Sequence, residues 1–159
     1  MAIKEGDKLP DATMHVMKDG RPTKVTTQEL FGGKKVVLFA VPGAYTPTCS
    51  EAHLPGFVTN ADNIRGKGVD SIVCVSVNDA FVMHSWGKDR NAEQITMLAD
   101  GNGEFTKKLG LEMDATGFGI GTRSQRYAMV VEDGVVKKLA VEEPGKFEVS
   151  KAEAILEAL

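Results

Sequence analysis

The chain has 159 residues, 42% of them hydrophobic, with 19 basic side chains against 22 acidic ones for a formal net charge of −3. That length supports one domain whose core needs no disulfide or metal, and near balance of charge without a basic stripe argues against nucleic acid or an anionic membrane as partner. Two cysteines without pairing-like spacing, an opening MAIKEGDKLPD without an apolar h-region, and no run of roughly 18 apolar residues lead us to expect a soluble protein in a reducing compartment, the cytoplasm.

In chain order, Ala12 to Val16 and Thr23 to Val25 flank Lys18-Asp19-Gly20-Arg21, whose Asp-Gly pair predicts an N-terminal β-hairpin. Thr26 to Glu29 has capping-box spacing and opens a short helical turn that Gly32-Gly33 stops. Val36 to Val41 is an unbroken apolar run, the pattern of a strand buried on both faces. Pro42, Gly43 and Pro47 punctuate the loop that follows. Thr46 or Thr48 can cap a helix that carries Cys49 in its first turn and runs through Leu54, Phe57, Ala61 and Ile64, with a bend at Pro55. Val69 to Val77 is a second buried strand, and Asn78-Asp79 caps a helix through Phe81, Val82, Ser85 and Trp86.

Ile95 to Leu98 predicts a third short strand, and Asp100 to Gly103 a turn into a helix ending at Leu109-Gly110. Glu112 to Gly121, with Gly117, Gly119 and Gly121, reads as a surface loop. Arg126 to Glu132 and Val135 to Val141 form a hairpin through Asp133-Gly134, and Ser150 to Glu153 is a capping box opening the last helix. This order matches a thioredoxin-like α/β fold: one domain over residues 1–159, a mixed central sheet, helices on both faces and the N-terminal hairpin.

The chemistry concentrates at Cys49, just beyond the end of the first buried strand. Unpaired amides and the helix dipole favour an anion at such a place, which makes the thiol a candidate nucleophile. Direct dithiol exchange through Cys-x-x-Cys is excluded, because the four residues are Thr46-Pro47-Thr48-Cys49. PGAYTPTCS resembles the peroxiredoxin active-site segment in its type II, peroxiredoxin-five-like form. VNDAFVMHSWGK, GTRSQRYAMVV and SKAEAILEAL resemble the same class, so the likeness spans the chain. Tyr45 departs from it, standing where phenylalanine is commoner.

The resemblance implies a thiol-dependent peroxidase that reduces hydrogen peroxide and alkyl hydroperoxides through a Cys49 sulfenic acid, without a cofactor. It implies that Thr46 positions the peroxide oxygens, that Pro42 shields the sulfur, and that Arg126 is the cation. The amides of Cys49 and Gly43 are further candidate donors. A guanidinium facing a buried thiolate would be paired where an isolated one would be costly, whereas Arg123 sits at a loop end without that argument. A homodimer, and regeneration by glutathione and glutaredoxin or else by thioredoxin, are implied in the same way.

His53, four residues after Cys49, could share its helix face; a structural or supporting histidine is the better reading than a metal ligand or acid-base group. Met14, Met17, Met83 and Met129 read as packing residues. Cys74 lies mid-strand in IVCVSV, which argues for an inert buried thiol, although its place after Cys49 also resembles a resolving cysteine.

Overall fold

The structure is a computed structural model and describes residues 2–159. A seven-stranded sheet forms its centre, with strands in the spatial order 21–26, 13–18, 96–99, 71–76, 35–40, 127–132 and 135–141. β1 (Thr13–Lys18) and β2 (Arg21–Thr26) are the expected hairpin, turned at Asp19 and Gly20, both with positive φ. α1 (Thr27–Phe31) follows with the full capping box between Thr26 and Glu29. β3 (Lys35–Ala40) and β4 (Ser71–Ser76) pair in parallel, and β5 (Thr96–Ala99) pairs in parallel with β4. β8 (Tyr127–Glu132) runs antiparallel to β3, and β9 (Val135–Val141) closes the edge as the hairpin partner of β8.

Side chains alternate across these strands and feed two cores. Val37, Phe39, Ile72, Cys74, Ala128 and Val130 face one side with α2 (Leu54–Thr59), α3 (Ala61–Arg65), α4 (Ala80–Asp89) and α6 (Ala152–Ala158). Val36, Leu38, Val73, Tyr127 and Met129 face the other with Phe31 of α1 and with α5 (Glu104–Leu109). The layout is the thioredoxin-like one, a mixed sheet with helices on both faces. Met14, Met83 and Met129 are buried in these cores, and Met17 packs at the border of one.

Three local readings are corrected. The stretch from Glu112 to Gly121 is not simply a loop: β6 (Glu112–Asp114) pairs antiparallel with β7 (Thr122–Ser124), with a 3-10 turn over Thr116–Phe118 between them. The helix expected from Cys49 through Ile64 is interrupted at Asn60, and its opening is a π-helical turn over Cys49–His53. Pro55 has no amide to give to Glu51, and the turn before it widens so that the Leu54 amide reaches the carbonyl of Cys49. Ser150 does not cap α6; Lys151 holds the cap position without a side-chain bond, because the Ser150 hydroxyl and amide are both engaged by Glu142.

The topology sets the site. Ala40, the last residue of β3, pairs with Tyr127, the first of β8. Whatever precedes β8 therefore stands beside whatever follows β3, and the residue before Tyr127 is Arg126.

Candidate active site

After β3, the chain turns through Pro42 to Tyr45 and enters the helix at Pro47. The first intrahelical bond runs from the Ser50 amide to the Thr46 carbonyl at 2.9 Å. Thr46 thus holds the cap position with proline next, an arrangement that suits proline's fixed φ and missing donor. The amides of Thr48 and Cys49 fall among the helix's unpaired first-turn donors. Neither threonine caps with its side chain as expected: Thr48 makes no cap bond, and the Thr46 hydroxyl donates to Gly43 O at 2.6 Å. That bond commits the proton of Thr46 and leaves its oxygen as an acceptor.

The loop is held from several sides. Asn78 Oδ1 accepts from the Ala44 amide at 3.0 Å and from Ser76 Oγ at 2.6 Å, tying it to the end of β4. A Cβ on Gly43 would meet Thr46 Cγ2 at 3.2 Å, so a larger residue there would crowd the Thr46 side chain. Tyr45 has a φ of 66°, the left-handed region that non-glycine residues rarely occupy, and its hydroxyl lies 2.7 Å from Ser85 Oγ and 2.8 Å from Asp89 Oδ2 on α4. Trp86 Nε1 donates to Ser50 Oγ at 2.9 Å beneath the same turn.

Cys49 is fully buried, and its Sγ accepts from Arg126 Nη2 at 3.2 Å. The other nitrogen, Nη1, lies 2.9 Å from His53 Nδ1, and His53 Nε2 lies 3.0 Å from Ser150 O. Burial first, and the Arg126 charge second, push the His53 imidazole down from 6.5 to about 3. Phe147 lies over the guanidinium at 5.9 Å. It stands on the loop between β9 and α6, where Glu142 Oε2 accepts from the Glu148, Val149 and Ser150 amides and from Ser150 Oγ. Burial works against the Glu142 charge, but those hydrogen bonds outweigh it and hold the carboxyl below its ordinary range.

Of the expected site residues, Arg126 meets Cys49 directly, with the supporting His53 on its other nitrogen, and Thr46 and the half-buried Pro42 lie in the loop that frames them. Arg123 does not reach the sulfur; its Nη1 donates to Val77 O at 2.7 Å and its Nε to Ile120 O at 2.8 Å, bracing the β6–β7 loop against the end of β4. Cys74 pairs in register with Phe39 in the middle of the sheet, and burial pushes its thiol well up, with Cys49 adding to the rise and Arg126 opposing it. Among the described residues, no cluster of three or more His, Cys, Asp or Glu side chains has the arrangement to hold a metal ion, and no helix is long and apolar enough to cross a membrane.

Sequence reading alone did not find Asn78 as a loop anchor, Glu142 and Ser150 as supports behind His53, or the Tyr45 clamp. The Asn78-Asp79 pair signals a helix cap and gives no sign of the loop contact. The other contacts join residues too far apart in the chain for spacing to reveal them.

Residues 4–156 match the family model described as Redoxin. The chain is 53% identical over 163 residues to peroxiredoxin-2E, chloroplastic, of Arabidopsis thaliana, an alignment covering 99% of this chain and 70% of that one. It is 46% identical to peroxiredoxin-2B of the same plant, covering 99% of this chain and 98% of that one. Among solved structures, reduced Prx3 from Vibrio vulnificus in complex with hydrogen peroxide superposes with a TM-score of 0.95 at 60% identity, covering 98% of each chain.

Proposed function

The chain belongs to the peroxiredoxins of the type II, peroxiredoxin-five-like class, a family of thiol-dependent peroxide reductases, and on that premise we propose its substrates, its reductant and a role for each residue of the site. It acts on hydrogen peroxide and alkyl hydroperoxides. The thiolate of Cys49 attacks the terminal oxygen of ROOH, an S–O bond forms as the O–O bond breaks, and Cys49 becomes a sulfenic acid while RO⁻ leaves and takes a proton to become ROH. The single observation that carries this reading is the Arg126 guanidinium at 3.2 Å from the buried sulfur. A permanent cation with fixed donors stands where negative charge passes from sulfur to the departing oxygen, which is the arrangement electrostatic catalysis requires.

Thr46, its proton committed to Gly43, accepts the hydroxyl hydrogen of the peroxide and so orients the O–O bond toward Cys49. Pro42 covers the approach from solvent. Full burial of Cys49 supports a preference for small hydroperoxides over bulky ones.

Regeneration uses an external thiol: glutathione displaces water from the sulfenic acid to give a mixed disulfide, and glutaredoxin removes the glutathione, with thioredoxin as the alternative reductant. The mid-strand position of Cys74 and its resistance to ionisation support a structural thiol and not a resolving one. The chain works as one domain in a reducing compartment such as the cytoplasm, a reading that two buried free thiols support. Phe81, Phe118, Ile120 and Tyr45 are exposed at the Cys49 end of the sheet and supply the apolar face of a homodimer.

The test is stopped-flow consumption of hydrogen peroxide and of a bulky alkyl hydroperoxide, with glutathione/glutaredoxin and thioredoxin compared side by side. The parent should turn over peroxide with at least one of the two reductants and Cys49→Ser should be silent; turnover by the serine variant would overturn the assignment.

A further inference from the structure

A concave site separate from Cys49 lies where β1 and β5 part. The two strands pair at His15 and Ala99 and diverge beyond it, toward Lys18 at the end of β1 and Thr96 at the start of β5. β5 runs parallel to β4 and β4 to β3, so its first residue lies at the opposite end of the sheet from the loop that carries Cys49. Between the diverging strands and the last turns of α4 is a groove of about 530 Å³, a size in the range of small-ligand sites.

The floor of the groove is apolar. Ala92 and Ile95 are buried there, and Met17 and Met97 are half-buried against the same core. Two flexible thioethers make a surface that adapts to a hydrocarbon chain of no fixed shape. Gly87 forms part of the wall: a Cβ on it would meet Met97 Cγ at 2.7 Å, so only a bare backbone lets α4 come down onto Met97.

The rim is charged, and unequally. Lys18 stands on β1, His84 and Lys88 are four residues apart on one face of α4, and Glu93 is the single acid among the lining residues. Among the described residues, neither lysine's ammonium has a hydrogen bond or an ion pair; the ion pairs formed are Lys108 with Glu104 and Lys146 with Glu143. The carboxyl end of α4 would oppose an anion, but the carbonyls of Trp86, Gly87 and Lys88 already accept from the amides of Arg90, Ala92 and Asn91. Two unpaired ammonium groups and an imidazole above an apolar floor complement a molecule with a hydrocarbon body and a negative head.

We propose that this groove binds a single-chain amphipathic anion, a fatty-acid-like carboxylate whose chain lies on Met17, Ile95 and Met97 and whose head meets Lys18 and Lys88. The site shares no residue with the peroxide chemistry, so it stands whether or not Cys49 reacts with peroxide.

Three probes of one chain length separate charge from apolar contact: decanoate, decanol and decyltrimethylammonium, each titrated below its aggregation limit into the full chain by isothermal calorimetry. Trp86 directly precedes Gly87, and its emission gives a second readout. Decanoate should bind saturably, at least about fivefold more tightly than decanol and about tenfold more tightly than decyltrimethylammonium. Lys18→Glu combined with Lys88→Glu should weaken decanoate at least about fivefold and leave decanol within about twofold. Ala92→Leu, which fills the floor, should weaken decanoate and decanol alike by about tenfold.

Equal affinity for the three probes, no saturable uptake of decanoate, or unchanged decanoate affinity in the double lysine variant would overturn the site. So would sedimentation with phosphatidylglycerol vesicles without uptake of free decanoate, since that is a surface and not a groove for one chain. Circular dichroism confirms that each variant is folded. If Ala92→Leu does not fold, the probe series and the lysine pair, both exposed, decide the matter.

Discussion

Replacing Arg126 by alanine removes the side chain that meets the Cys49 sulfur, and the size of the effect follows from the geometry. At 3.2 Å and an effective dielectric of roughly 20, opposite unit charges attract by about 5 kcal/mol. That is an upper limit, because the guanidinium is half-buried and desolvating both groups opposes the attraction. Hydrogen bonds to charged groups retain about 1.5–3 kcal/mol after such costs. At about 1.4 kcal/mol per factor of ten, Arg126→Ala should slow sulfur oxidation roughly ten- to hundredfold. Trp86 is the chain's one tryptophan and donates to Ser50, the residue after Cys49, so its emission offers a stopped-flow readout over a series of peroxide concentrations. Arg126→Lys keeps a charge without the two-pronged donor geometry and should fall between the two. An alanine variant with native circular dichroism and a rate within about threefold of the parent would refute the electrostatic role.

Cys74→Ser should keep at least half of the glutaredoxin-supported turnover, because the thiol lies in mid-strand and burial keeps it protonated; loss of nearly all turnover would make it a resolving cysteine. Tyr45→Phe removes a hydroxyl bonded to Ser85 and Asp89 at a half-exposed position, and should lower stability by about 0.5–1.5 kcal/mol in urea titration; an unchanged midpoint would mean the clamp is idle. Acid should destabilise the fold from near neutrality downward. Because native His53 is held at about 3 against an ordinary 6.5, the unfolded chain binds a proton that the native one refuses, so stability is full above about pH 6.5 and falls as pH drops toward 3. Glu142, held below its ordinary 4.5, adds a loss at lower pH, as its carboxylate takes up a proton. The melting temperature of His53→Asn should therefore fall less than the parent's between about pH 7 and 5, and parallel curves would refute the assignment.

What could be read from the sequence was what neighbours in the chain decide. The Asp-Gly pairs at 19–20 and 133–134 marked both hairpins, since each takes positive φ at both residues. The run from Val36 to Val41 gave the buried strand that delivers Cys49. The same rules failed where a distant group competes for a local donor. Ser150 has the spacing of a helix cap, yet its hydroxyl goes to Glu142, because a buried carboxylate with four donors in reach outbids one helix amide. β6 and β7 are three residues each, too short to show alternation, and the chain between them turns back through Gly119 and Gly121, both with positive φ.

The contact between Cys49 and Arg126 spans 77 residues and was legible only through motif resemblance, but the part played by Pro55 is local. A regular helix would stack His53 directly over Cys49, residues four apart sharing one face. Pro55 withholds its amide, the turn before it widens, and Leu54 takes the place one turn above Cys49, its amide on the Cys49 carbonyl. At the end of that turn His53 takes the Arg126 nitrogen that the sulfur does not use. The proline that reads as a bend in a helix follows a π-helical turn that carries both acceptors of the arginine, Cys49 at its start and His53 at its end.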